Sequence, residues 1–150
     1  MNVTIKQAGI EDLDIVAELF DGYRQFYQQP SDVEVGKAFL RQRLQHHESV
    51  IFLATDEAGL GLGFTQLYPT FSSVSLQPRW ILNDLFVAES ARKSGVASQL
   101  MQAAEDFAKD SGASGLTLST AVDNLPAQAL YKRRGWSKAT AFCNYNKKVE

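Results

Sequence analysis

The chain has 150 residues, of which 45% are hydrophobic and 21% are charged, and its formal net charge is −2. This length and balance are typical of one globular domain, so we expect a single domain over residues 1–150. The small net charge argues against a nucleic-acid binder, and the one cysteine, Cys143, excludes an internal disulfide framework. No segment resembles a signal peptide or a bilayer span, which predicts a cytoplasmic protein that does not bind membranes.

The first part of the chain predicts a strand followed by two helices. Val3 and Ile5 alternate with polar residues, as in a short strand. Apolar residues then recur at helical spacing over residues 13–27. A second helix is expected to begin at Ser31, which forms a capping-box pattern with Glu34.

The middle of the chain predicts three strands. Two apolar runs, 49–55 and 60–68, flank turn residues and indicate a hairpin. Residues 69–78 are interpreted as a loop over much of their length. The run 80–87 is apolar on both faces apart from two polar residues, as in a central strand.

The last third of the chain predicts helix, strand, helix and strand. Helical spacing covers residues 96–108, and an apolar run over 116–121 predicts a strand. Asn124 is a good N-cap for a short helix. Residues 142–149 alternate loosely and predict a final strand, in which Cys143 would be a packed thiol. The order of elements indicates a mixed α/β layer fold.

The junction between the central strand and the third helix could hold an anion. Free backbone N–H groups lie at the positive end of a helix dipole, which suits a pyrophosphate. Gly95 and Ala97 are small enough for close approach, and Arg92 and Lys93 add positive charge. Taken alone, the pattern is equally typical of a glycine-eased helix start beside two solvated cations.

Two motifs resemble those of a known enzyme superfamily. Arg92-x-x-Gly95-x-Ala97 resembles the GNAT N-acetyltransferase signature, Arg/Gln-x-x-Gly-x-Gly/Ala, at its place after the fourth strand. Asn124 followed by residues 129–136, Ala-Leu-Tyr-Lys-Arg-Arg-Gly-Trp, resembles the family's Asn…Phe/Leu-Tyr-x-x-x-Gly-Phe segment. The resemblance in order and spacing covers nearly the whole chain. Within the superfamily, segments 82–87 and 131–135 look most like the diamine (spermidine/spermine) acetyltransferase branch.

The resemblance implies a fold and an activity. The implied architecture is the α/β GNAT fold, a mixed central sheet of about six to seven strands with about four helices. The implied reaction moves an acetyl group from acetyl-CoA to a primary amine, by direct attack in a ternary complex. The acceptor would be a small molecule, such as a polyamine or an amino-acid-like amine. A homodimer is also implied.

The resemblance also implies roles for individual residues. The backbone around Leu85 and Val87 would hold the thioester carbonyl and the pantetheine arm, and the N–H groups of residues 93–98 would hold the pyrophosphate. Asn124 would contact the pantetheine end of CoA, and Tyr131 would protonate the departing thiolate. The implied acetyl-CoA-binding set is Leu85, Phe86, Val87, Arg92, Lys93, Ser94, Gly95, Val96, Ala97, Ser98 and Asn124.

The general base is left open by one departure from the diamine branch. That branch carries a glutamate where this chain has Asn83, and an asparagine cannot take up a proton but can orient a water. Asp84 would point to the opposite face of a regular strand unless a bulge re-aimed it. Asn83 and Asp84 therefore both remain candidate catalytic residues.

Alternatives remain open at this point. The acceptor could be a protein or peptide amine, and Asn83 also leaves room for a catalytically idle acyl-CoA-binding regulatory module. A pure interaction domain ranks last, because it would leave both motifs unexplained. No metal site is expected, since His46 and His47 have no carboxylate or cysteine at ligand spacing.

Overall fold

The computed structural model describes residues 2–150, which form two compact units: one ends at Ser119 and the other is Thr120–Glu150. Within this part of the chain, the first unit contains a five-stranded mixed sheet and three α-helices, and the second contains one α-helix. The α/β fold and the four helices were predicted correctly, whereas six to seven strands were too many. The single domain expected over 1–150 stays a prediction. None of the helices in residues 2–150 is both long and apolar enough to cross a membrane.

The sheet lies in the first unit, and its strands follow one another in chain order. Strands β1 to β4 pair antiparallel with their neighbours, and β5 pairs parallel with β4. The strands are β1 (Thr4–Gln7), β2 (Val50–Thr55), β3 (Gly61–Ser72), β4 (Gln77–Val87) and β5 (Leu116–Thr117).

Helices cover both faces of this sheet. On one face, α1 (Leu13–Phe26) packs its Phe20 ring against Phe64 of β3. Helix α2 (Val33–Gln45) packs beside α1, where Gly36 faces the same Phe20 ring. On the opposite face, α3 (Val96–Asp110) brings Phe107 against Phe52 of β2. The two buried layers on either side of the sheet form the core of the unit.

The start of α2 differs from the prediction. The helix begins at Val33, and its N-cap is Asp32, whose carboxylate accepts a hydrogen bond from the Val35 N–H at 3.2 Å. Ser31 instead donates its hydroxyl to Asp21 of α1 at 2.7 Å. The buried Asp21 carboxylate also accepts the Asp32 N–H at 2.8 Å, so this contact between helices draws Ser31 away from the capping position.

Residues 69–78, predicted as a loop, lie mostly in a long hairpin. Strand β3 continues to Ser72 and β4 begins at Gln77, with Pro69 paired to Trp80 and Pro78 paired to Phe71. The prolines are tolerated because β2 pairs with β3 only as far as Leu67, and β5 pairs with β4 only at Trp80 and Ile81. Pro69 therefore lies at an open edge. Pro78 accepts the Ser114 N–H with its carbonyl at 3.0 Å, a hydrogen bond that needs no proline N–H.

The second unit contains the predicted short helix but not the predicted last strand. Helix α4 (Leu125–Arg133) begins after Asn124, whose side chain accepts the Ala127 N–H at 3.3 Å, as expected of an N-cap. Residues 142–149 form no strand, and Cys143 is exposed rather than packed. The large apolar residues of this segment are exposed and stand three and four positions apart, so one strand face could not collect them. They are Phe142, Tyr145 and Val149.

Candidate active site

The sheet opens between β4 and β5. The two strands pair only at Trp80 with Leu116 and at Ile81 with Thr117, so the strand expected over 116–121 is much shorter than predicted. Strand β4 nevertheless continues to Val87. Over residues 82–87 the edge of β4 therefore lies beyond its ladder with β5. A strand edge of this kind presents backbone N–H and C=O groups to an extended ligand.

A β-bulge at Asn83 interrupts β4 within this open part. Leu82 pairs with Leu67 and Asp84 pairs with Gln66, so Asn83 is an extra residue between two consecutive pairs. The bulge changes which face the even-numbered residues occupy. Before it, Trp80 contacts Phe107 of α3 at 5.2 Å between ring centroids.

Beyond the bulge, β4 turns its even-numbered side chains to the other face. Phe86 contacts Tyr23 of α1, with 6.5 Å between ring centroids. Asp84 lies on this same face, where the Gln66 side-chain amide donates to its carboxylate at 2.5 Å. Asn83 itself is exposed. The bulge that the sequence left as a possibility is therefore present, and it aims Asp84 at α1.

The Asp84 carboxyl is 2% exposed and lies in a cluster of neutral polar groups. One oxygen accepts the Asn83 side-chain amide at 2.7 Å, and the Tyr23 hydroxyl, which donates to the Asn83 backbone carbonyl at 3.3 Å, lies beside the carboxyl. Burial raises the pKa of Asp84, although the hydrogen bonds from Gln66, Asn83 and Tyr23 oppose the shift. Burial, reinforced by the Asp84 charge, raises the pKa of Tyr68 to about 12 and also raises that of Tyr23.

Sequence reasoning missed Gln66, Tyr23 and Tyr68 as members of this site. The one usable signal was Gln66, a long amide within the otherwise apolar run of β3. Tyr23 fits the helical spacing of a core residue, and its hydroxyl gave no separate signal.

The Asp84 pKa shift gives a stability prediction. Because the folded-state pKa is raised, the carboxyl favours folding below its unfolded pKa and loses that contribution as pH rises through the folded value. Asp84→Asn should therefore be more stable than the parent at pH 8, with a smaller difference at pH 4. Urea denaturation at both pH values measures this. The control is Asp110→Asn, at an exposed position. A stability difference between Asp84→Asn and the parent that was larger at pH 4 than at pH 8 would contradict the raised pKa of Asp84.

The segment after β4 leads into α3 through two left-handed residues. Lys93 has φ +63° and Gly95, the N-cap of α3, has φ +84°. The Arg92 Nε–H donates to the Val87 carbonyl at 3.0 Å, and its guanidinium lies over the Phe86 ring. These contacts tie the turn to the end of β4, so the open strand edge and the start of α3 form one continuous feature.

The start of α3 has the properties expected of an anion site. A Cβ added at Gly95 would meet nothing within 4 Å, and no side chain caps the helix. The Gln99 N–H donates to the Gly95 carbonyl at 3.1 Å, at the start of the helix. The N–H groups of the preceding turn lie at the positive end of the dipole.

The predicted acetyl-CoA-binding residues of the first unit are all found on this feature. Those at the end of β4 are half-buried and those of the turn are exposed. Of the three in α3, Val96 is buried, and Ala97 and Ser98 are half-buried. In chain order they are Leu85, Phe86, Val87, Arg92, Lys93, Ser94, Gly95, Val96, Ala97 and Ser98.

The other two predicted residues lie in the second unit, one at the start of α4 and one within it. Asn124 is the N-cap described above, and Tyr131 lies in the last turns of the helix. The half-buried Tyr131 ring contacts Trp136, with 6.3 Å between centroids. Gly135, with φ +87°, turns the chain back so that the Trp136 N–H reaches the Tyr131 carbonyl at 3.0 Å.

Comparisons with known proteins agree with this geometry. The profile of the acetyltransferase (GNAT) family matches residues 14–136. Over 143 residues, the chain is 48% identical to the uncharacterized N-acetyltransferase YhfO of Bacillus subtilis (strain 168), covering 95% of both chains. A crystal structure of a probable acetyltransferase superposes with a TM-score of 0.93 at 46% identity, over 98% of both chains.

A more distant structure shares the fold. It is aminoglycoside N-acetyltransferase AAC(6')-Iy in complex with CoA, with a TM-score of 0.81 over 99% of this chain and 96% of that one. At 21% identity this likeness concerns the fold alone.

Proposed function

The chain belongs to the acetyltransferase (GNAT) family, and we propose on that premise that it transfers an acetyl group from acetyl-CoA to a primary amine. The observation that carries the proposal is the continuity between the open edge of β4 and the start of α3. In acetyl-CoA the pantetheine arm carries the thioester at one end and the diphosphate at the other. A site for it therefore needs an extended hydrogen-bonding edge for the arm and an anion site for the diphosphate. These two features follow one another directly in the chain, over residues 82–98.

The diphosphate of CoA would bind at the start of α3. The backbone N–H groups from Lys93 to Ser98 would donate to phosphate oxygens, and the left-handed Gly95 leaves the space in front of them open. Arg92 and Lys93 are exposed and add positive charge at the same turn. These donors are backbone N–H groups already in position, so no side chain would have to move when the diphosphate binds.

The acetyl group would lie at the edge of β4. Residues Leu85 to Val87 would pair with the pantetheine arm, and their N–H groups could stabilise the oxyanion formed as the amine attacks. Holding both substrates side by side removes most of the entropic cost of a bimolecular reaction. Asn124 would contact the pantetheine, and Tyr131 would donate a proton to the CoA thiolate as it leaves.

The acceptor is proposed to be a small primary amine, such as a polyamine or an amino-acid-like compound. The resemblance of residues 82–87 and 131–135 to the diamine acetyltransferase branch supports this choice. The buried Asp84 carboxyl beside the strand edge supports it too, because it places negative potential near a cationic acceptor. Homodimer formation and a cytoplasmic location stay predictions from the sequence.

Release of free CoA from acetyl-CoA against a panel of amines tests this function. The panel contains spermidine, putrescine, amino-acid amides, a peptide with a free N-terminus and a peptide with an internal lysine. We expect turnover with at least one small amine and little with either peptide. Turnover confined to the peptides would favour the protein-acetylating alternative. Tight acetyl-CoA binding without any turnover would favour the idle acyl-CoA-binding module.

A further inference from the structure

The Asp84 carboxyl is buried without a positive partner. Its hydrogen-bond donors are the side-chain amides of Gln66 and Asn83, the Tyr23 hydroxyl lies beside it, and across residues 2–150 no lysine, arginine or histidine pairs with it. Burying an unpaired carboxylate costs several kcal/mol, even when neutral donors surround it. The Gln66 side-chain oxygen is also buried and lacks a hydrogen-bond partner in the described part of the chain. Apolar side chains at these positions would cost less free energy to bury, so the contribution to stability does not account for the polar cluster.

Asp84 also has no direct route to an acceptor. The carboxyl is 2% exposed, so an amine in solution cannot reach its oxygens. Asn83 is exposed beside it but cannot accept a proton at neutral pH. Any proton that reaches Asp84 must therefore pass through a group that touches both the carboxyl and the surface.

Tyr23 is the side chain in that position. Its ring is half-buried, and its hydroxyl donates to the backbone carbonyl of Asn83 at 3.3 Å, beside the Asp84 carboxyl, whose pKa the same hydroxyl lowers. Edge contacts with Phe64 and Phe86, at 5.9 and 6.5 Å between centroids, hold the ring in place. The hydroxyl is thus fixed at the bulge, beside the open edge of β4.

We propose that Tyr23 relays the proton of the acceptor amine to Asp84. The inference rests on the proposed function. The acceptor binds as its ammonium ion. One N–H proton passes to the Tyr23 oxygen while the Tyr23 O–H, turned from the Asn83 carbonyl, passes its proton to the Asp84 carboxylate. The resulting neutral amine attacks the thioester carbon, so that the new C–N bond forms and the C–S bond breaks. The departing thiolate takes its proton from Tyr131, the second proton lost by the nitrogen replaces it through solvent, and Asp84 later returns its own proton to solvent. No redox partner is needed.

The surroundings favour a relay over an ionised tyrosine. Burial and the Asp84 charge raise the pKa of Tyr23, so the phenol stays protonated and passes a proton on without carrying a charge itself. The other titratable groups facing the cluster are Tyr27 at the end of α1 and Tyr68 of β3, with Arg43 of α2 acting on Tyr68. Burial keeps Tyr68 protonated near neutral pH, which leaves Asp84 as the group whose titration the reaction would report.

The Tyr23→Phe variant tests the relay with one amine that the parent acetylates. The ring and its packing are kept, so acetyl-CoA affinity should stay within about twofold of the parent. We expect kcat/KM to fall by about 10²-fold or more, the usual loss for a proton-transfer group. The parent's pH–rate profile should rise through the Asp84 pKa and then level off, whereas the variant should lose that plateau and climb towards the amine pKa. Tyr27→Phe, which removes a neighbouring hydroxyl, should behave like the parent.

The double variant Tyr23→Phe/Asp84→Asn separates a relay from two independent effects. In a relay the two groups act as one unit, so the double variant should be no slower than the slower single variant. Parent-like rates in Tyr23→Phe, or multiplicative losses in the double variant, would overturn the relay while leaving the acetyltransferase function in place. A parent that acetylated no amine would instead overturn the proposed function, and the relay with it.

Discussion

Gly95→Glu is expected to weaken CoA binding by about 100-fold or more. The new side chain would start in the open space before the first turn of α3 and place a carboxylate where a phosphate is proposed to bind. Two unit charges 4 Å apart repel by about 4 kcal/mol at an effective dielectric constant of about 20. Because position 95 is exposed, salt and solvent screen part of this repulsion. We therefore expect CoA binding to lose about 3 kcal/mol, which corresponds to a rise of about 100-fold in Kd.

Gly95→Gln is the matched control for this experiment. Position 95 has φ +84°, so any side chain there strains the backbone by about 1–2 kcal/mol, and both variants should lose stability equally. Glutamine is nearly the same size as glutamate but neutral. The ratio of their CoA affinities, measured by isothermal titration calorimetry, therefore isolates the charge. Equal affinities would show that no phosphate lies near the start of α3.

Tyr131→Phe is expected to slow acetyl transfer by about 10²–10⁴-fold, with CoA affinity nearly unchanged. The variant keeps the ring that contacts Trp136, so α4 and the turn at Gly135 should stay intact. It loses the hydroxyl proposed to protonate the thiolate. Single-turnover kinetics with saturating acetyl-CoA measure the transfer step directly.

The matched control is Tyr145→Phe, which removes the same hydroxyl from an exposed residue of the same unit. It should leave the rate unchanged. If Tyr131→Phe transferred acetyl groups at the parent rate, the role of Tyr131 would be confined to packing.

Local patterns were sufficient to predict most of the helices. The spacing of apolar residues predicted α1 and α3, and Asn124 predicted the start of α4, because these signals depend on neighbours within one turn. The start of α2 was wrong because its determinant is not local. Asp21, ten residues before Ser31, competes for the serine hydroxyl, and nothing in the capping-box pattern reports that contact.

The strands were predicted less well, because pairing depends on partners distant in the chain. Pro69 and Pro78 were interpreted as loop residues, since only the limited pairing of β2 and β5 with β3 and β4 allows prolines at those positions. The apolar residues of 142–149 suggested a strand without a regular alternation, and the structure leaves them exposed.

Only the part of the candidate site whose residues are contiguous in the sequence could be predicted. The turn from Arg92 to Ala97 is continuous in sequence, and its motif identified it. The cluster around Asp84 joins α1, β3 and β4, and Tyr23 and Asp84 are far apart in the chain. Asn83 was named because the diamine branch carries a glutamate at its position, and Asp84 because it is adjacent, but only the bulge determines which of them is buried.

The bulge at Asn83 places Leu82 and Asp84, two residues apart in the chain, on opposite faces of the sheet. A regular strand of the same length would put both side chains on one face. Deleting Asn83 would close the bulge and keep both flanking pairs, Leu82 with Leu67 and Asp84 with Gln66. Phe86 would then stay on the side of Tyr23, and Asp84 would keep its face but lose the amide that Asn83 donates to it. A chain that is one residue shorter here could therefore keep a buried Asp84, but without the exposed amide beside it.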